Sequence, residues 1–95
     1  MVQINWSEGA LRDLRHIYEY IAKDSPAHAQ EQIERIESHI NMLSRHPRLG
    51  KVISEPTVLQ YRELVEHPYR VIYRFYDTGT VGIVAVVHGR RMLFR

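Results

Sequence analysis

Glu63, Glu66, His67 and His88 are the side chains of this sequence best suited to moving protons, and Arg90 and Arg91 follow His88 across Gly89. Cutting an RNA phosphodiester without a metal needs a base for the 2′-hydroxyl proton, an acid for the leaving oxygen, and cations around the crowded phosphate. By residue type, Glu63 or Glu66 supplies the base, His67 or His88 the acid, and Arg90 with Arg91 the cationic clamp. Types alone do not show convergence, and proximity and orientation carry much of a catalytic effect. The competing readings are structural: a histidine ending a strand serves hydrogen bonding, and Arg62 beside Glu63 suits a cross-strand ion pair.

Other arginines extend the cationic set. Residues 1–44 carry four basic side chains (Arg12, Arg15, Lys23, Arg35) against seven acidic ones, a balance of −3. Residues 45–95 carry nine basic against four acidic, a balance of +5, and eight of the nine are arginines. The guanidinium is a flat donor fork that fits phosphate or carboxylate, so Arg62, Arg70, Arg74, Arg90 and Arg91, with His88, are candidates for contacting an anionic target. Solubility charge on exposed positions explains the same pattern equally well.

Other chemistries are excluded or disfavoured. There is no cysteine, and the six histidines never fall at His-x-x-x-His spacing, so no metal site and no cofactor is expected. The 44% hydrophobic and 25% charged fractions are those of a globular chain, and 95 residues suffice for one domain over 1–95. No apolar run reaches the length of a membrane span and the N-terminus lacks a signal-peptide pattern, which leads us to expect a cytoplasmic protein.

The elements that must position these residues follow from periodicity. Gln3–Trp6 reads as a short strand. Ser7 then caps a helix whose apolar stripe is Leu11, Leu14, Ile17, Tyr18 and Ile21. Pro26, preceded by Asp24 or Ser25 as cap, opens a second helix with Ala29, Ile33, Ile36, Ile40 and Leu43 on one side, and Glu31–Arg35 as an i,i+4 pair. His46-Pro47 stops it. So short a connection makes the helices antiparallel neighbours. Tyr61–Glu66, Tyr69–Tyr76 and Val81–Val87 read as strands, joined by Glu66-His67-Pro68 and by Asp77-Thr78-Gly79-Thr80. Trp6, Tyr18, Tyr73 and Phe75 are expected in the core.

The last strand is apolar on both faces, so it should be internal. Two helices cover only one side of a small sheet. The opposite side, with Val84 and Val86 sharing a face, is then an apolar surface for a protein partner.

Trp6-Ser7, Asp13-Leu14 followed by Ile17-Tyr18-Glu19-Tyr20-Ile21, and Ser25-Pro26 with Ala29 are similar to the ParE/RelE toxin superfamily. So are Leu43 with Pro47 and Gly50, Tyr61-Arg62-Glu63-Leu64, Pro68-Tyr69-Arg70-Val71-Ile72-Tyr73, and Val87-His88-Gly89-Arg90-Arg91. The resemblance runs in order from Ile4 to Arg91. It implies an α+β fold: an N-terminal strand, then an antiparallel two-helix hairpin packed on one face of a mainly antiparallel three- to four-stranded sheet.

The resemblance also implies a growth-arresting toxin, neutralised by a cognate antitoxin in a hetero-oligomeric complex. Two activities share this fold. RelE-like members cut mRNA on the ribosome without a metal, whereas ParE-like members inhibit DNA gyrase and are not nucleases. The RelE-like pattern puts an arginine directly after Glu63-Leu64, and here that position is Val65. Its arginine at the end of the last strand is matched by Arg90, and its loop lysines only by Lys51. Its tyrosine would fall past Arg95, and the His-Tyr pair of a related subgroup is replaced by Met92-Leu93-Phe94-Arg95. The ParE-like reading is therefore favoured, with a ribosome-dependent mRNA endonuclease as the alternative and a non-toxic binding module as the third.

Overall fold

Ser7 is where the chain changes from strand to helix, and its side chain makes the change. Its Oγ accepts from Ala10 N at 3.0 Å, satisfying one of the donors that every helix start leaves open. The computed structural model describes residues 1–53 and 60–89, so Arg90, Arg91 and the segment Met92-Leu93-Phe94-Arg95 lie outside the described residues. The elements are β1 (Gln3–Trp6), α1 (Glu8–Ala22), α2 (Pro26–Asn41), a 3-10 turn (Met42–Ser44), β2 (Lys51–Val52), β3 (Arg62–Glu66), β4 (Tyr69–Tyr76) and β5 (Thr80–His88). Between the helices, Ser25 rather than Asp24 is the cap, accepting from His28 N at 3.2 Å with Pro26 in the first turn.

The strands form one sheet in the order β1-β5-β4-β3-β2. β1 runs parallel to β5, and the remaining pairs are antiparallel. β5 is internal, as its apolar character requires. The sheet has five strands where three or four were expected, because Lys51–Val52 adds β2 to the outer edge of β3. Two residues carry no readable period, which is why β2 was invisible in the sequence.

Both helices lie on the same side of the sheet. Ile36, Ile40 and Leu43 from the second helix and its exit turn meet Leu64, Val71, Tyr73, Val81, Ile83 and Val86 in one cluster. Each such aliphatic side chain contributes about 1.5–3 kcal/mol on burial. On α1 the inward stripe is Ala10 and Ile17, buried, with Leu14 and Ile21 partly buried against them; Leu14, Ile17 and Ile21 are where the periodicity placed them. Leu11 (48% exposed) and Tyr18 (36% exposed) point outward instead, so Tyr18 is not a core residue. The pair Glu31–Arg35 forms at 3.9 Å on the exposed side, where such a pair is worth little.

A bulge in β5 changes which side chains share a face. Tyr73 pairs with Ile83, but Ile72 pairs with Ala85, so Val84 is an extra residue. Beyond it the alternation shifts by one. Val86 pairs with Val71 and is buried in the helix-side core at 4% exposure, while Val84 stays 36% exposed. The expectation that Val84 and Val86 share an open face is corrected by this shift; only Val84 is accessible. The far face of the sheet is also less bare than expected, since Ile72 is fully buried there.

Candidate functional site

The row Glu66–Tyr69–His88 crosses β3, β4 and β5 at the end of the sheet that leads to Arg90. Tyr69 belongs to the helix-side core, so directly paired Glu66 and His88 face the same side. His88 meets the Tyr69 ring edge-on, with centroids 5.9 Å apart. Two strand spacings separate Glu66 from His88, about 10 Å, with the tyrosine between them. Glu66 is also engaged from below: His39 Nδ1 lies 3.3 Å from its Oε1, close enough for an ion pair but without the alignment of a hydrogen bond.

Glu63 lies on the other side of the sheet. It pairs with Ile72, one step out of phase with the core residues Leu64 and Val71. There its Oε2 accepts from Arg70 Nε at 2.9 Å and from Arg70 Nη2, with both side chains largely buried. The set Glu63, His88, Arg90 and Arg91 is therefore not assembled by the described residues: the sheet separates Glu63 from His88, and Arg90 and Arg91 lie outside them. His67 is in the turn between β3 and β4, beyond the strand pairing.

The strand arginines proved to have three different surroundings. Arg70 is bonded to Glu63. Arg62 donates from Nη1 to the carbonyl of Gly50 at 2.8 Å and to that of Arg48 at 3.3 Å. That same loop is held from the core by Tyr73, whose hydroxyl donates to Pro47 O at 2.9 Å and accepts from Gly50 N at 2.7 Å. Burial pushes the Tyr73 hydroxyl above its ordinary pKa of 10.0, with the Gly50 hydrogen bond and the Arg62 charge opposing. Arg74 instead lies against the rings of Tyr76 and Tyr61, 4.7 and 5.9 Å from their centroids.

A groove of about 470 Å³ opens beside the Tyr69–His88 pair, lined by His16, Ile17 and Tyr20 of α1 and by Pro68, Tyr69 and His88. Burial, and secondarily the nearby Tyr20, raise the Tyr69 hydroxyl above 10.0. Sequence reasoning missed the α1 half of this groove. His16 and Tyr20 sit four residues apart on the same helix side, a spacing that gave the only available signal. Among the described residues no group of His, Asp and Glu is arranged to hold a metal ion. No helix among them is long and apolar enough to cross a membrane.

This architecture and sequence match known proteins. Residues 4–93 match the family described as the ParE toxin of the type II toxin-antitoxin system parDE. The chain is 34% identical over 92 residues to "Toxin RelE2" of Caulobacter vibrioides, covering 97% of this chain and 100% of that one. The chromosomal ParDE system from P. aeruginosa superposes with a TM-score of 0.76 at 21% identity, covering 93% of this chain and 96% of its own. The E. coli RelBE complex superposes with a TM-score of 0.65 at 18% identity, over 96% of this chain and 100% of its own. Two helices on one face of a mixed sheet that starts with an N-terminal strand define the RelE/ParE-like α+β class. The chain belongs to the ParE/RelE superfamily of type II toxins.

Proposed function

We propose that this toxin acts on DNA gyrase, as ParE-like members do, and that a cognate antitoxin silences it. One observation carries the first part. Val65, where a RelE-like nuclease would hold an arginine, is 59% exposed on β3 and offers only an apolar side chain. The separation of Glu63 from His88 by the sheet supports the same reading, because those two cannot face one phosphate. Purified toxin with gyrase and supercoiled plasmid should block supercoiling or trap cleaved DNA. Normal supercoiling at micromolar toxin would sink this reading.

The RelE-like alternative is favoured by the name of the Caulobacter relative, and His88 is its remaining acid near Arg90. Codon-linked cuts in mRNA during translation, seen by primer extension with gyrase activity unchanged, would establish it instead.

For the antitoxin, an apolar groove on the outer side of the helical hairpin is the supporting feature. Leu11, Leu14, Tyr18 and Ile33 line it, and Leu11 and Tyr18 are exposed. The relatives of known structure from P. aeruginosa and E. coli are toxin-antitoxin systems. Exposed apolar side chains of this size favour a protein partner over water. Val84 adds a smaller apolar contact near the start of α1, where its carbonyl accepts from Ser7 Oγ at 3.1 Å.

A further inference from the structure

Asp13 carries a charge that no cation of the described residues neutralises. Its Oδ2 accepts from Val86 N at 3.0 Å. Among the described residues that backbone donor is the one hydrogen-bond partner of the carboxylate, and no basic side chain pairs with it. Asp13 lines the groove of about 470 Å³ between α1 and the end of β5. With histidine counted neutral, it is the one described lining residue that is charged at pH 7. The helical half around it has the same sign, a balance of −3 over residues 1–44. A half-buried carboxylate attracts a cation more strongly than one in open water.

The rest of the groove is largely aromatic. The rings of Tyr69 and His88 stand at 81° to each other with centroids 5.9 Å apart, so they make two walls of a corner. His16 and Tyr20, four residues apart on α1, supply the helix side. Ile17 and Val86 are buried beneath. Tyr20 is 71% exposed, so an incoming flat group can reach its ring. Lys23 Nζ lies 5.9 Å from that ring centroid, at the outer limit of a cation–π contact, and Lys23 does not line the groove.

From this arrangement we infer that the groove receives an arginine side chain of a partner protein. The guanidinium bonds the Asp13 carboxylate and lies against the rings of Tyr20, Tyr69 and His88. Arginine fits better than lysine, because its flat, weakly hydrated head stacks on rings while its donors reach a carboxylate. A phosphate or an acidic side chain is opposed by the Asp13 charge. An apolar side chain would strip water from that carboxylate and give nothing back. The inference stands apart from the choice between gyrase and ribosome and from the Leu11 groove, because its readout is binding of a short peptide at other residues.

The test is an NMR titration of the full-length chain with blocked Gly-Arg-Gly peptide, at about pH 8, where imidazoles of ordinary basicity are neutral. The arginine peptide should saturably shift the amides of Val86 and His88 and the imidazole of His16. Peptides carrying lysine, citrulline (the uncharged shape of arginine) or phenylalanine at the centre should bind at least about threefold more weakly. Asp13→Asn, which keeps an acceptor for Val86 N, should weaken arginine binding about tenfold. Tyr20→Ala, at an exposed position, should weaken it about threefold and keeps the test decisive if Asp13→Asn does not fold. Circular dichroism melts establish which variants are folded. Glu34→Gln and Leu11→Asp, both away from the groove, should change affinity by less than about twofold. No shift at about 10 mM arginine peptide, equal or tighter binding of any other peptide, or wild-type affinity in a folded Asp13→Asn or Tyr20→Ala chain would each overturn the inference. So would tighter binding by Arg90→Ala/Arg91→Ala, which would make the chain's own arginines the occupant.

Discussion

The carboxylate of Asp13 accepts a hydrogen bond from the backbone N–H of Val86 at 3.0 Å, joining the first helix to the last strand across 73 positions of sequence. β1 pairs with β5 only from Thr80 to Ile83, so beyond that point the outer edge of β5 has no strand beside it among the described residues. Ser7 and Asp13 take over, through Ser7 Oγ to Val84 O and Asp13 Oδ2 to Val86 N. Asp13→Ala leaves a partly buried donor unpaired and should cost about 1–3 kcal/mol, while Asp13→Asn, which keeps an acceptor, should cost less. Urea unfolding of the two variants reads the difference; equal stability would show that the bond contributes nothing.

Tyr73 locks the loop before β2. Tyr73→Phe removes the bonds to Pro47 O and Gly50 N and should destabilise the chain by about 1–3 kcal/mol, with faster amide exchange at Gly50. Gly50→Ala should do comparable damage from the other side, because its Cβ would lie 2.5 Å from a Tyr73 ring carbon and 2.7 Å from Glu63 O. A protected Gly50 amide in Tyr73→Phe would contradict this account.

Alkaline pH should weaken the fold through the same tyrosine. Tyr69 and Tyr73 are both raised from 10.0 by burial, so the folded chain resists ionisation that the unfolded chain undergoes freely. Their contribution is complete below 10.0 and is lost as pH rises from there through the raised folded values. The urea midpoint should fall between about pH 9 and about pH 11, and fall less in Tyr73→Phe. An identical pH dependence in both proteins would reject the assignment.

The Glu63 carboxylate bonds the Arg70 guanidinium. Glu63→Gln removes the charge that Arg70 bonds and should cost about 1.5–3 kcal/mol, measured by thermal melting. Toxicity per folded molecule should persist. Complete loss of toxicity with unchanged stability would instead make Glu63 a functional base.

Leu11→Asp should weaken antitoxin binding at least tenfold by calorimetry while leaving the melting temperature nearly unchanged, since the side chain is already exposed. A variant that binds antitoxin normally would remove the hairpin groove from the interface.

Much of this protein was legible from its residues because the signals were local. The cap at Ser7, the Pro26 start of α2, the stripe Ala29–Ile33–Ile36–Ile40–Leu43 and four of the strands each depend on neighbours within a few positions. The ordered family motifs identified the class for the same reason. Tyr18 misled because its spacing fits two adjoining helix faces, and only packing on the sheet selects the one through Ala10 and Ile17.

What tertiary structure decided were relationships between distant strands. An extra residue at Val84 turns Val86 inward, and strand register sends Glu63 and His88 to opposite sides. The partners that Arg62 and Arg70 bond, and the tyrosines that Arg74 lies against, also rest on register. Residue type states what a side chain is able to bond. Which partner lies within reach depends on pairings that form across tens of residues, and a one-residue slip in any of them reverses every face beyond it.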